Sequence, residues 1–473
     1  MQKLLIPLIV LSCALALAQP ATAPSADPAG HWEGSIELPG GQSLGVIVDL
    51  SLAGNDWRGT IDIPAQGAQG LPLENIQVDG VNVRFTIKGI PGTPTFKGTL
   101  EGGKLAGDFT QGAAELTFEL SREKTVSAAF NRPQEPKPPF PYREEEFTAE
   151  SGGVKLAGTL CIPEGTGPFP AVILLSDFGA QTRDADAFGH KPFKLLADRL
   201  ARVGIATLRC DDRGMGQSTG DYMKSSHADL AADARAMLDQ LKSHATIDPA
   251  RIGLLGQGDG ASVATAVASG SDDVKFVVLI SPAGVTGAQI MQRQSEEGLK
   301  AAGMNEQQIA EITQVQSEIF DTVRDSANLA EAEPKLRELI GKVHELLGPA
   351  LQAALGQRDE FIRQQLQQIN TPLIQSLLRN DPAASLRKVR QPVLAIWGGL
   401  NPQLDVQHNA EEVQLALREA DNNAVSIRVL DGLNHFLQPA NTGQLAESAD
   451  IETTMDEAAL EDIVDWVKAR TGT

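Results

Sequence analysis

Three cysteines, two tyrosines and four tryptophans are spread over 473 residues. So few cysteines exclude a disulfide framework. Aromatics at 4% exclude a broad stacking platform for sugars or single-stranded nucleic acid. Positive charge is short as well: Lys+Arg 40 against Asp+Glu 61 leaves a formal charge of -21. Such a field repels phosphate backbones and anionic lipid heads, so nucleic acid is excluded as a partner class. The seven histidines show no His-x-His, Cys-x-x-Cys or His-Glu-x-x-His spacing, and no metal site is expected. No dinucleotide cofactor is expected either, because the glycines near Gly256 lack an acidic ribose partner and a first-strand βαβ context. What remains, 42% hydrophobic and 21% charged, is an ordinary globular composition, long enough for roughly two to four domains.

The one long apolar run covers residues 4–17, behind a single positive charge at Lys3, and ends in Ala16-Leu17-Ala18. A run this short with small residues at its end reads as a signal peptide cleaved after Ala18, too short for a comfortable membrane span. The expectation is an exported protein, periplasmic, envelope-associated or secreted, with residues 19–29 as a tether and no integral membrane segment after cleavage. A lipoprotein reading through Cys13 is weaker, since Leu11 before Ser12 is atypical and the apolar run continues past the cysteine. Cys161 and Cys210 then remain, both in apolar stretches that suit buried thiols.

Residues 30–122 alternate at period two between glycine-rich breaks, in seven short segments starting near Trp32, Leu44, Trp57, Val81, Thr95, Lys104 and Leu116. That pattern predicts a small antiparallel barrel or sandwich. A linker follows over 123–143, stiffened by Pro133, Pro136, Pro138, Pro139 and Pro141. From 144 to 473 strands alternate with amphipathic helices, the mark of an α/β sheet. Eight mostly parallel strands are expected, over 145–149, 155–162, 171–176, 205–210, 251–255, 276–280, 393–397 and 426–430. Residues 287–377, rich in Gln, Glu, Ala and Leu at helical spacing, read as a helical cap inserted after the sixth strand.

Several stretches carry a closer likeness: Gly189-His190-Lys191-Pro192-Phe193, the run from Asp211 to Asp221 with Asp212-Arg213-Gly214, Asp381-Pro382, and Gly432-Leu433-Asn434-His435-Phe436. In order and spacing they resemble secreted bacterial α/β-hydrolases, esterases and serine-aminopeptidase-like enzymes with an amino-terminal β-domain. The resemblance implies a nucleophilic serine in Gly-x-Ser-x-Gly on the turn after the fifth strand. Here the turn is Gly256-Gln257-Gly258-Asp259-Gly260, and the central residue has no side chain. Asp259 as nucleophile would put bulky Gln257 where a small residue is required, and Ser262 falls one helical turn too far in.

The resemblance implies an acid after the seventh strand, and Trp397-Gly398-Gly399-Leu400-Asn401 places Asn401 there. Asp405, four residues on, is the alternative acid if the loop bends. The oxyanion loop after the third strand reads Asp177-Phe178-Gly179-Ala180, with Asp259 on the facing turn. A carboxylate at that mouth would oppose developing negative charge. His435 holds the position of the base, either as a base or as a buried ring bonded to Asn401 or Asn434. Gln181 and Asn434 are pocket candidates, and Asp211-Asp212-Arg213 reads as a loop fixed by buried ion pairs.

These departures together imply a site that no longer performs serine-dependent hydrolysis, with a role in binding or envelope assembly. Its partner would be a small acyl or peptide-like ligand under the cap, or an envelope protein. The alternative is an active ester or amide hydrolase with another nucleophile or a His435-activated water.

Overall fold

Strands β1 (Gly30–Leu38), β2 (Gln42–Ala53), β3 (Asp56–Ile63), β4 (Ala68–Asp79), β5 (Asn82–Ile87), β6 (Thr95–Glu101), β7 (Lys104–Gln111) and β8 (Ala114–Ser121) pair antiparallel in chain order. β1 returns to β8, with Gly34 opposite Leu120, and closes a barrel. Alternate side chains point inward, and Trp32, Phe85, Phe96, Phe109 and Phe118 fill the interior. The Phe85, Phe109 and Phe118 rings lie 4.8, 4.8 and 4.9 Å from Phe96. Of the two architectures expected, barrel or sandwich, the barrel is the one formed. β4 is the strand that the alternation hides: Asn75 turns to φ 52, and the pairing with β5 slips between Glu74 and Gln77. A bulge of this kind breaks the period of two on which strand recognition rests.

This description comes from a computed structural model and covers residues 28–122 apart from 39–41, 54–55, 64–67, 89, 91 and 113, and residues 132–473 apart from 327. The expected signal peptide, Cys13, most of the tether and linker residues 123–131 lie outside the described residues. The rest of the linker is no free spacer. Buried Arg132 donates to the carbonyls of Phe188, Ala449 and Ile451, and Gln134 bonds both ways with the backbone of Thr454 and Met455.

The second sheet contains β9 (Tyr142–Ser151), β10 (Val154–Pro163), β11 (Phe169–Leu175), β12 (Ala206–Cys210), β13 (Ile247–Gln257), β14 (Val277–Ile280), β15 (Val393–Gly398) and β16 (Val425–Leu430). Its order is β16-β15-β14-β13-β11-β12-β10-β9, parallel from β11 onward, with β9 and β10 antiparallel at one end. This is the α/β-hydrolase sheet that the resemblance implies. Its central strands are apolar without alternation, as in β11 and β15, because helices cover both faces.

Helices α1 (Pro192–Arg202), α2 (His227–Lys242) and α3 (Asp259–Ala268) precede β14. α4 (Gly287–Ala301), α5 (Glu306–Asp325), α6 (Leu329–Leu346), α7 (Pro349–Leu355), α8 (Arg358–Ile369) and α9 (Pro372–Arg379) form the insertion between β14 and β15, and α10 (Pro382–Leu386), α11 (Val406–Glu419) and α12 (Glu457–Thr471) complete the set. α1 and α12 bury Phe193, Leu196, Leu460 and Ile463 against one sheet face, while α2, α3 and α11 bury Leu238, Val267 and Val413 against the other. α9 packs on α4, α5, α2 and the turn Tyr222–Lys224, which brings one helix of the insertion to the end of the sheet where α2 begins. Among the described residues no helix is long and apolar enough to cross a membrane.

Candidate active site

β13 ends at Gln257 and α3 begins at Asp259, so one residue makes the strand-to-helix turn: Gly258, at φ 54 and ψ -115. A side chain at this backbone conformation is strained by roughly 1–3 kcal/mol, and glycine is not. The flanking glycines have a separate cause, close approach. A methyl at Gly260 would meet the carbonyls of Leu175 and Ser176, and one at Gly256 the carbonyl of Gly260.

A methyl built on Gly258 would overlap the carboxylate of Asp177. This side chain, 20% exposed, enters the space in front of the turn and is held on both oxygens. Oδ1 accepts from the backbone N–H of Asp259 at 2.8 Å and of Phe178 at 2.7 Å. Oδ2 lies 2.7 Å from Nε2 of His435. Burial works against ionisation of Asp177, but the His435 ring and these two N–H groups together hold its carboxyl below the usual carboxylate value. The carboxylate expected at the mouth is held there as an anion, and it does more than oppose developing negative charge. Asp177 itself takes up the donors that a substrate oxyanion would need.

His435 is buried, and its far nitrogen meets Asn401, with Nδ2 2.8 Å from Nδ1. Asn401 Oδ1 accepts from the N–H of Gln403 at 3.0 Å, which leaves its NH₂ to face the ring. Nδ1 is then an acceptor and the ring proton sits on Nε2, donating to Asp177. A triad needs the opposite tautomer, with Nε2 free to take a proton. Of the two partners foreseen for His435, only Asn401 touches the ring. Asn434 is not a pocket residue: it is buried, its Oδ1 accepts from the N–H of Phe436 and Gln438, and it shapes the turn that carries His435. Ser281 Oγ fixes the same turn by donating to the His435 carbonyl at 2.9 Å. Asp405 does not replace the acid. It caps α11, accepting from the N–H of His408.

Asp259 supplies a backbone donor, but its side chain turns away to His227, with Oδ1 2.6 Å from Nε2. It is thus no nucleophile. Burial opposes charge on His227, yet Asp259 outweighs it and raises the imidazole above its ordinary value. Ser376 of α9 accepts from the His227 N–H at 3.0 Å, tying the insertion to α2. The sequence reading missed His227 and Ser376. A signal existed for the first, because Ser226 and Asp229 form a capping box that puts His227 at the start of the helix following β12.

The loop from Ser176 to Gln181 is held from below by Asp212, whose Oδ2 accepts from Ser176 Oγ at 2.8 Å and Gln181 N–H at 2.9 Å. The Gln181 carbonyl accepts in return from the Asp212 N–H at 3.0 Å, and its side-chain NH₂ reaches the Asp177 carbonyl at 3.4 Å. Tyr222 OH accepts from Gly179 N–H at 3.3 Å. The neighbours of Asp212 do make ion pairs, Asp211 with Arg183 and Arg213 with Asp233, whereas Asp212 itself makes hydrogen bonds. A cavity of about 40 Å³ beside it, lined by Ser176, Asp212, Tyr222, Asp233 and Asp259, has room for water but not for a substrate.

Burial, assisted by the Asp211 and Asp233 carboxylates, raises the Asp212 carboxyl from 3.8 to about 7 against the bonds from Ser176 and Gln181. Between these values the folded chain keeps a proton that the unfolded chain has lost, so this group's contribution is full below the lower value and is lost as pH rises through the upper. Asp212→Asn removes the titration while keeping an acceptor for both bonds. In urea unfolding, the variant is expected to gain stability relative to the parent as pH rises from about 4 to about 7 and to hold that gain above. A difference that stays flat across this range would contradict the assignment.

The structure thus gathers His435, Asn401, Asp177, Phe178, Gly258 and the Asp259 amide at one place, at the ends of β11, β13 and β15. Asn434 supports it from behind, and Gln181 closes the loop. Chemically the assembly presents hydrogen-bond donors around a carboxylate, with no hydroxyl or thiol on the strand-to-helix turn. Among the described residues no cluster of His, Cys, Asp and Glu is arranged to hold a metal ion.

Esterase EstD of Thermotoga maritima is 25% identical over 336 residues, 71% of this chain, and the chain spans 66% of that relative's length. An uncharacterised Mycobacterium tuberculosis protein is 33% identical over 117 residues, 24% of this chain and 37% of its own. Among solved structures, an esterase of Pyrococcus furiosus is similar over 70% of this chain and 92% of its own, at 16% identity and a TM-score of 0.43. A dienelactone hydrolase of Anabaena variabilis covers 70% and 98%, at 13% identity and a TM-score of 0.37. The profile of the serine aminopeptidase S33 family matches residues 191–437, just over half of the chain and including the strand-to-helix turn and His435. The chain belongs to the serine aminopeptidase S33 family of α/β-hydrolases.

Proposed function

We propose that this protein is an exported α/β-hydrolase that has given up serine-dependent ester and amide hydrolysis and serves in binding or assembly in the cell envelope. One observation carries the reading: the Asp177 carboxylate fills the space in front of Gly258 and takes both backbone donors and His435. A substrate carbonyl would have to displace a charged, bonded group and would then find no hydroxyl. The asparagine in the acid's place and the proton on Nε2 support the same conclusion, since such an exchange in a triad costs on the order of 10⁴ in turnover. Export rests on the signal-like residues 1–18.

The test is an assay of the purified chain on short and medium p-nitrophenyl esters and aminoacyl anilides beside a His435→Ala control. Equal, background-level rates are expected; turnover in the parent that the control abolishes would overturn the reading. A second reading, an active hydrolase with another nucleophile, draws on the 2.7 Å contact of Asp177 Oδ2 with His435. Carboxylates do serve as nucleophiles. Attack by Oδ2 on an acyl carbon would expel the alkoxide, which leaves as alcohol with the Nε2 proton of His435. Water attacking the Asp177 carbonyl carbon, its proton passing to His435, would then cleave the anhydride and release the acyl group as a carboxylate. Turnover in ¹⁸O-water would mark the Asp177 peptide under that reading and leave it unmarked under the first.

A further inference from the structure

We propose that the site in front of Gly258 is a binding site for a free carboxylate, with Asp177 as its internal occupant. This rests on the loss of serine chemistry proposed above and adds the class of ligand. Three groups from three elements converge there: the N–H of Phe178, the N–H of Asp259 and Nε2 of His435. All three are donors, because Asn401 presents its NH₂ to Nδ1 and leaves the ring proton on the other nitrogen. An esterase site of this fold needs an acceptor at that nitrogen; here the polarity is reversed.

Donors without an acceptor select an electron-rich oxygen ligand, and the geometry is bidentate. One oxygen takes the two N–H groups and the other takes His435, as Asp177 shows. An ester carbonyl offers one such oxygen and no charge, so it satisfies the site incompletely. A carboxylate offers two and makes the stronger, charge-assisted bonds.

The donors also stand without the help of Asp177. Asp259 is fixed by the start of α3, and the ends of the Ser176–Gln181 loop are held by Asp212, with Gly179 bonded to Tyr222. His435 is fixed by Asn401 and by Ser281. Exchange of one carboxylate for another therefore needs only rotation of the Asp177 side chain, and Gly258 leaves the vacated space free of any Cβ.

The experiment removes the internal occupant and offers external ones. In ¹⁵N-histidine-labelled protein, the His435 ring signal, identified by its loss in His435→Ala, is followed during titration with acetate and octanoate, with methyl octanoate as the neutral control. Asp177→Ala and Asp177→Ser are both used, so that one misfolded variant does not decide the outcome; thermal melts check each. Both carboxylates are expected to shift the His435 signal in the variants at concentrations about tenfold below those needed in the parent, where Asp177 competes. Methyl octanoate is expected to leave it in place. The proposal is overturned if neither variant responds to acetate, if the methyl ester acts as octanoate does, or if the parent binds acetate as tightly as the variants. Variants that ignore acetate in an inert chain would remove this inference alone, whereas His435-dependent turnover in the parent would remove the loss of serine chemistry.

Discussion

A chain carrying Asp177→Gly, Gly258→Ser and Asn401→Asp together is expected to be labelled covalently by a fluorophosphonate probe, while Gly258→Ser with Asn401→Asp stays unlabelled. The difference lies in the space before the strand-to-helix turn. A hydroxyl at position 258 needs the volume that the Asp177 carboxylate now fills, and the phosphonyl oxygen needs the two N–H groups that this carboxylate occupies. Restoring nucleophile and acid alone leaves both obstacles in place. Removing the carboxylate frees the volume, the donors and His435 in one step. Asn401→Asp then turns the ring: an acid accepts from Nδ1–H and leaves Nε2 as the base. Within the Asp177→Gly and Gly258→Ser background, that last change is expected to raise turnover of a p-nitrophenyl ester by on the order of 10⁴. Labelling of the parent, or of the chain that keeps Asp177, would sink the account. So would an unlabelled but well-folded triple variant.

The second large effect concerns stability. Gly258→Ala is expected to lower unfolding stability by about 3 kcal/mol, from roughly 1–3 kcal/mol of backbone strain and a similar cost of overpacking. The two parts separate in a cycle with Asp177→Gly. Without the carboxylate the three atoms nearest the added methyl are gone, and the strain at φ 54 remains. Residues in direct contact couple by about 0.5–3 kcal/mol in such cycles, and a coupling in that range is expected from urea midpoints. If Gly258→Ala costs the same in both backgrounds, the carboxylate does not occupy the space assigned to it.

Much of the fold was legible in the sequence, because apolar runs such as Val393 to Trp397 are short, continuous and bounded by proline or glycine. β4 escaped because its bulge at Asn75 spoils the alternation. At the site, the residues could be found but not their directions. The glycine pattern around Gly258 marks the turn, and spacing puts Asn401 opposite His435. Nothing in the chain's order says that Asp177 rotates inward to take the amide donors and does not stay at the rim. Nothing separates Asn401 from Asn434 as the partner of the ring, since both lie on loops at the same end of the sheet. The pair of Asp259 with His227 joins residues 32 apart in sequence through a single side-chain bond, which no periodicity records.

The closure of the amino-terminal barrel bears on how an envelope partner would be recognised. Many adhesive β-domains recruit a partner by letting its chain continue their sheet, with main-chain bonds giving affinity and side chains giving selectivity. Here β1 already pairs with β8, and the eight described strands form a ring without a free edge. Strand donation is closed to it, as is edge-to-edge self-association. A partner would have to read side chains on the barrel's outer wall or the turns at its rims, where Leu52, near the end of β2, and Val81, between β4 and β5, are 52% and 46% exposed.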